Sequence, residues 1–487
     1  MLNLLSSIPY SPQGKRWLYG LVGLGSAAFG GILIAKLGMT GVVFSALIPI
    51  GLIVVGAIFR NPKLGLLTYI QLSYLVNALA RFLPFSLPYG LIIDGVLGLT
   101  LFSLVVNAKS FKWERIQHPA FYLILMWFVY NVLEIANPES PYRAAWFYHA
   151  RQFSIHWIMV CCIILVIDIT RKDIVNLLKT WMIWSIFAAL WAFKQQYISL
   201  TNAEIEWLNA GGAKTHILFG HLRSFSFYTD ASQFGAEMAG LTLVCLIFMF
   251  EEKTWKAKIP YLILAFFYFW GFAVSGTRSA LFIMLAGYPF YLFIKRDFNK
   301  ILLGMCVAIP MMVILLFTNI GNTNYQIYRI RTALRPMEDP SFLLRLENQQ
   351  KLSNYLRHLP FGAGIGSAGD TGARFSPHHF ASQTPPDSWF VQVWIETGVV
   401  GLYVYIGMLL GLIAVGVHRI WNLQDPWLIK IMCALLAEFV GVVVMGYSNP
   451  VMGQFPTSSF IFITSILFTS SERWDPAFGL MSKKSKR

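Results

Sequence analysis

Arg223 in HLRSFSFYTDASQFG and Arg278 in SGTRSALF are the residues of this sequence best suited to hold an anion. A guanidinium donates two parallel, charge-assisted hydrogen bonds to a phosphate or carboxylate, which an ammonium cannot do. Arg329, Arg331, Arg335, Arg345, Arg357 and Arg374 follow in one polar interval. The same interval holds three candidate proton acceptors, His378, His379 and Asp387. An imidazole titrates near neutrality, and either an imidazole or a carboxylate takes a hydroxyl proton once it lies within hydrogen-bond reach. Each also has an ordinary use: a helix N-cap for Asp387, solvated surface for the histidines, headgroup anchoring or loop salt bridges for the arginines. Just after Asp387, Gln392 and Glu396 share a helix face at i,i+4 spacing. The run Gly362-Ala363-Gly364-Ile365-Gly366 either presents backbone amides to a phosphate or makes a tight turn. No HxxH, CxxC or carboxylate cluster has metal spacing, so neither metal nor other cofactor is expected.

The elements that must position these groups are apolar helices. Of 487 residues, 56% are apolar and 13% charged, and the mean hydropathy is +0.58. A soluble domain carries about 25% charge, so the composition is that of an integral membrane protein. Apolar runs of bilayer-spanning length, rather than alternating ten-residue stretches, exclude a β-barrel. About fourteen spans are expected, near 17–36, 38–59, 64–82, 90–107, 119–136, 152–170, 175–196, 231–250, 258–275, 279–295, 300–319, 399–418, 427–447 and 456–470. The first reads as a retained helix, since no small-residue cleavage site follows it. All five cysteines fall in apolar segments and read as packing groups.

The net charge of +15 is concentrated in short loops and in the tail Lys483-Lys484-Ser485-Lys486-Arg487, which argues for topology rather than nucleic-acid binding. With both termini cytoplasmic, every strongly basic loop falls inside, as the positive-inside rule requires. The polar intervals 199–230 and 320–398 then both face outward. This divides the chain into helices one to eleven (1–319), a large outer loop with short helices (320–398), and three further helices with a basic tail (399–487). Within the loop, Tyr325–Leu334 and Phe342–Arg357 read as amphipathic helices. Asp94, Glu134 and Glu237 lie in the outer halves of their spans, and Asp168 near an inner end. Intramembrane carboxylates need a partner or a wet cavity, so the outer three point to arginine pairing or to a polar cavity open outward.

DSWFVQVWIETGVVGLYVYIG resembles the segment closing the large periplasmic loop of the O-antigen ligase and O-antigen polymerase superfamily, with Gln392, Glu396, Gly398 and Gly401 in register. PFGAGIG, SGTRSALF and RSFSFYTDASQFG resemble three further segments of that family, in the same order, over about half the chain. The resemblance implies an all-α, GT-C-like polytopic bundle in the bacterial inner membrane with its active site on the periplasmic face. It implies a glycosyltransferase that moves a glycan from undecaprenyl diphosphate to a hydroxyl of a glycan, of lipid A core or of a protein. Arg223 and Arg278 would hold the diphosphate, with Arg345, Arg374 and Glu237 as further substrate contacts. The family's histidine falls on Asp387, which leaves Asp387, His378 and His379 as alternatives for the base. One base and no covalent intermediate would invert the anomeric centre. The competing reading is a transporter or flippase of lipid-linked saccharides, for which internal repeats would be expected.

Overall fold

The computed structural model describes residues 12–83, 89–218, 220–297 and 340–477, with isolated positions between 299 and 337. The expected span 300–319, the helix at 325–334, Arg329, Arg331, Arg335 and the basic tail lie outside the described residues. By internal contacts the chain divides into two compact units, 1–64 and 65–487, a division different from the one drawn by sidedness.

In the first unit α1 (Pro12–Leu37) packs on α2 (Met39–Arg60). The second unit holds α3 (Lys63–Phe82), α4 (Tyr89–Val106), α5 (Pro119–Leu133), α6 (Ala145–Val166, with a π turn at Arg151–Ile155) and α7 (Arg171–Tyr197). There follow α8 (Ala231–Glu251), α9 (Trp255–Ser275), α10 (Leu281–Ile294), α11 (Pro340–Leu356), α12 (Trp389–Trp421), α13 (Pro426–Met445) and α14 (Thr457–Thr469). Every span expected within the described residues is helical. Nine of these helices are long and apolar enough to cross a membrane, and the chain is an all-α polytopic membrane protein. α8 is buried on nearly every side and forms the centre against α9, α10 and α13, as a helix apolar all round must.

Connections segregate to the two ends of the bundle. At one end the basic loops carry local pairs: Arg115–Asp168 at 3.0 Å, Lys295–Glu251 at 2.9 Å, Lys430–Glu252 at 2.6 Å, and Arg171 with Asp425. Asp168 is therefore an arginine partner. At the other end the segment 446–456 joins both polar intervals. Gly446 accepts from the Trp389 amide (2.9 Å), while Gln454 donates to Asp230 (3.1 Å), the N-cap of α8.

α12 is two helices in one. At Gly398 the backbone turns to φ 68°, ψ −173°, a conformation essentially confined to glycine. The Trp389 indole consequently donates to Tyr405 Oη at 2.8 Å; in a straight helix sixteen residues would part them by about 24 Å. A Cβ on Gly398 would lie 2.0 Å from the Pro360 carbonyl, and one on Gly362 would lie 2.4 Å from the Gly398 nitrogen. The two glycine-bearing motifs thus exist to let one backbone cross another. Gly398→Ala should destabilise the fold by at least ~2 kcal/mol, measured as a lowered unfolding midpoint in detergent.

Candidate functional site

The end of the second unit opposite the basic loops carries the candidate residues. Arg223 follows a two-residue hairpin (Ile217–Leu218 with His221–Leu222) and reaches across to the α9–α10 turn. Its Nε donates to the Ser275 carbonyl (3.1 Å), one terminal nitrogen to the Thr215 carbonyl (2.9 Å) and the other to Thr277 Oγ1 (2.9 Å). Arg278, half-buried, is the next residue after Thr277, so Arg223 is fastened to the turn that carries Arg278. Ser279, beyond it, accepts from Asn449 at 2.6 Å. The 446–449 segment runs from there to Gly446, against which Ser388 and Trp389 are fastened. A short path of backbone therefore links the arginine pair to Asp387.

Asp387 is half-buried and adopts φ 48°, the left-handed region. It is not the N-cap: Ser388 takes that role, its hydroxyl accepting from the Val391 amide (3.4 Å). Asp387 faces α11, where Asn348 donates to its Oδ2 at 3.4 Å. Two turns on, Tyr355 of the same helix face meets His379 Nε2 at 3.3 Å. Seven residues of helix rise separate those contacts by about 10 Å, so Asp387 and His379 stand along one face and not side by side. Arg345, half-buried, lies one turn from Asn348 on that face. Burial holds His379 below the ordinary imidazole value, an effect that Glu139 opposes. His378 is exposed.

Two expected substrate contacts lie elsewhere. Glu237 is enclosed in the core, its Oε1 accepting from Tyr74, Trp181 and Ser185; its described partners are neutral donors from α3 and α7. Arg374 is exposed above the rings of Tyr148 (5.4 Å) and Phe375 (5.0 Å). Asp94 is an arginine partner, held by Arg151 (2.7 Å) and His156 Nε2 (2.6 Å). Glu134 lines a pocket of about 400 Å³ with Tyr130, Asn137, Glu139, His358 and Phe361.

The glycine-rich turn spends several amides on backbone acceptors. Gly362 donates to Leu359, Ala363 to Ile395 and Ser367 to Gly364. It is a turn against α12, with the Gly366 and Ala368 amides on the side of Glu396. That carboxylate, wholly buried, lies 3.2 Å from His149 Nε2. Gln392 Nε2 also lies 3.2 Å from the same ring nitrogen, and Thr371 Oγ1 lies 3.4 Å from Nδ1. His149, Arg151 and His156 are polar groups that sequence reasoning passed over. The signal was there, since YHARQFSIH sets all three within or beside an apolar run.

Residues 263–406 match the family model described as O-antigen ligase. The matched stretch contains Arg278, the glycine-rich turn, Asp387 and the break in α12; Arg223 precedes it. No curated protein matches the chain at a significant level. The chain carries an O-antigen ligase domain over residues 263–406, the family that its sequence motifs resemble.

Proposed function

We propose that the protein transfers a glycan from undecaprenyl diphosphate to an acceptor hydroxyl at the periplasmic face of the bacterial inner membrane. The observation that carries this reading is the junction of Arg223 and Arg278 through Thr277, at the end of the bundle that also holds Asp387. As the bond between the sugar C1 and the diphosphate oxygen breaks, negative charge builds on the leaving oxygen. Fixed guanidinium donors aimed there stabilise it without reorganising. Asp387 or His379 takes the acceptor proton, the acceptor oxygen bonds to C1, and polyprenyl diphosphate leaves. A single displacement inverts the anomeric centre. Arg345, one turn from the Asn348–Asp387 contact, offers a further charge to the sugar-diphosphate.

Purified protein given lipid-diphosphate glycan and an acceptor should release polyprenyl diphosphate and form a glycoside of inverted configuration, with the rate unchanged by a chelator. Laddered products identify a polymerase and single additions a ligase. Movement of intact donor across a vesicle bilayer, with no bond cleaved, would instead establish a transporter. The orientation has its own test. Externally added thiol reagent should label Ser382→Cys and not Lys256→Cys, and the reverse pattern overturns it.

A further inference from the structure

We propose that His149 is a positioning residue of the transfer site, one ring that staples both ends of the base-bearing segment to the membrane bundle. The proposal rests on the transferase reading above.

The geometry is that of a three-way junction. His149 belongs to α6, yet its contacts are Thr371 of the short helix Gly369–Phe375 and Gln392 and Glu396 of the 389–397 helix. The chain between those contacts, 371 to 392, contains His378, His379 and Asp387, all three candidate bases. Closing both ends of that stretch on one rigid ring restricts where any base can stand.

The chemistry of the ring suits this task. Nε2 stands between two neighbours: unprotonated it accepts from the Gln392 amide at 3.2 Å, and Glu396 Oε2 lies 3.2 Å away on the same side. Glu396 has no exposed surface, and among the described ion pairs His149 is its partner. A buried polar group is costly without a polar neighbour, so the contact with His149 fixes where the 389–397 helix can lie. Packing continues the attachment: the His149 ring lies 5.2 Å from Phe153, and Phe153 lies 5.1 Å from Trp389, the first residue of that helix. Directly after His149 comes the π turn at 151–155, a helix irregularity that recurs at functional sites.

The test uses the full-length protein in detergent or proteoliposomes, with initial rates measured against donor concentration. An asparagine amide occupies roughly the place of Nδ1 and a glutamine amide that of Nε2. His149→Asn keeps the Thr371 contact and loses Glu396 and Gln392; kcat should fall at least ~10-fold, because small misplacement of reacting groups is expensive. The donor KM should stay within about twofold, since the arginines that hold the donor are elsewhere. His149→Gln keeps the α12 contacts and should recover most of kcat. Hydrogen exchange over 366–392 should quicken in the Asn variant and not in the Gln variant. Wild-type kcat in His149→Asn, or equal losses in kcat and in donor binding, overturns the proposal. Should neither variant fold, Glu396→Ala takes over the test, because it removes the group that faces His149 Nε2 from the α12 side; wild-type kcat there is equally fatal. Absence of transfer by the wild-type protein refutes the parent reading instead.

Discussion

Arg278→Lys should lower the transfer rate by ~10²–10³, the cost of losing one preorganised donor to developing charge, while the folded yield stays at the wild-type level. Lysine keeps the charge but offers a single point of contact in place of the planar fork. Arg278 sits half-buried at a surface turn, where shortening the head group opens no core cavity. Arg223→Lys carries a second cost. That guanidinium donates to Ser275, Thr215 and Thr277, fastening the 217–222 hairpin to the α9–α10 turn. Its replacement should cost both rate and stability, visible as a lowered unfolding midpoint beside the lowered kcat. Steady-state rates and thermal unfolding of the two variants, measured together, separate an arginine that touches the donor from one that holds the turn. Full activity in Arg278→Lys would reduce Arg278 to a headgroup anchor.

The helices were legible because span length and hydropathy are one-dimensional properties. The segregation of basic loops to one end followed from them and is what the contacts show. Chemistry between residues far apart in the chain was not legible. Nothing local marks His149 as the partner of Glu396, since the contact depends on how α6 meets α12. The same limit applies to Glu237. An acidic residue in an apolar helix reads as functional by default, and only its neighbours reveal that Tyr74, Trp181 and Ser185 satisfy it. Asp94 shows the converse: pairing with an arginine was expected, and Arg151 is that arginine. The glycines of PFGAGIG suggested a turn or an anion cradle, and the close approach of Gly362 to the backbone of Ile395 and Gly398 shows a turn packed against α12.

Asp387 should prove the most sensitive acidic position in the chain, and its backbone supplies the means to test it. A φ of 48° strains a residue with a Cβ by about 1–2 kcal/mol relative to glycine. A position needed only for the turn between Pro386 and Ser388 would be better filled by glycine, so the carboxylate must be kept for another reason. The cap is not that reason, because Ser388 performs it. Asp387→Asn retains a residue that tolerates the left-handed region and an oxygen for Asn348, but it cannot accept a proton. Transfer should fall at least ~100-fold, the lower end for losing a general base, with stability unchanged. Asp387→Gly should be as inactive and yet slightly more stable, a combination that no structural role can give. The rival is His379, which burial holds below the ordinary imidazole value, so that it is neutral at pH 7 and free to accept. Were His379 the base, activity would persist as pH falls past about 6.5 and fail only at the depressed value. His379→Ala would then abolish transfer while Asp387→Asn left it intact. That outcome in paired rate measurements transfers the role from the carboxylate to the imidazole.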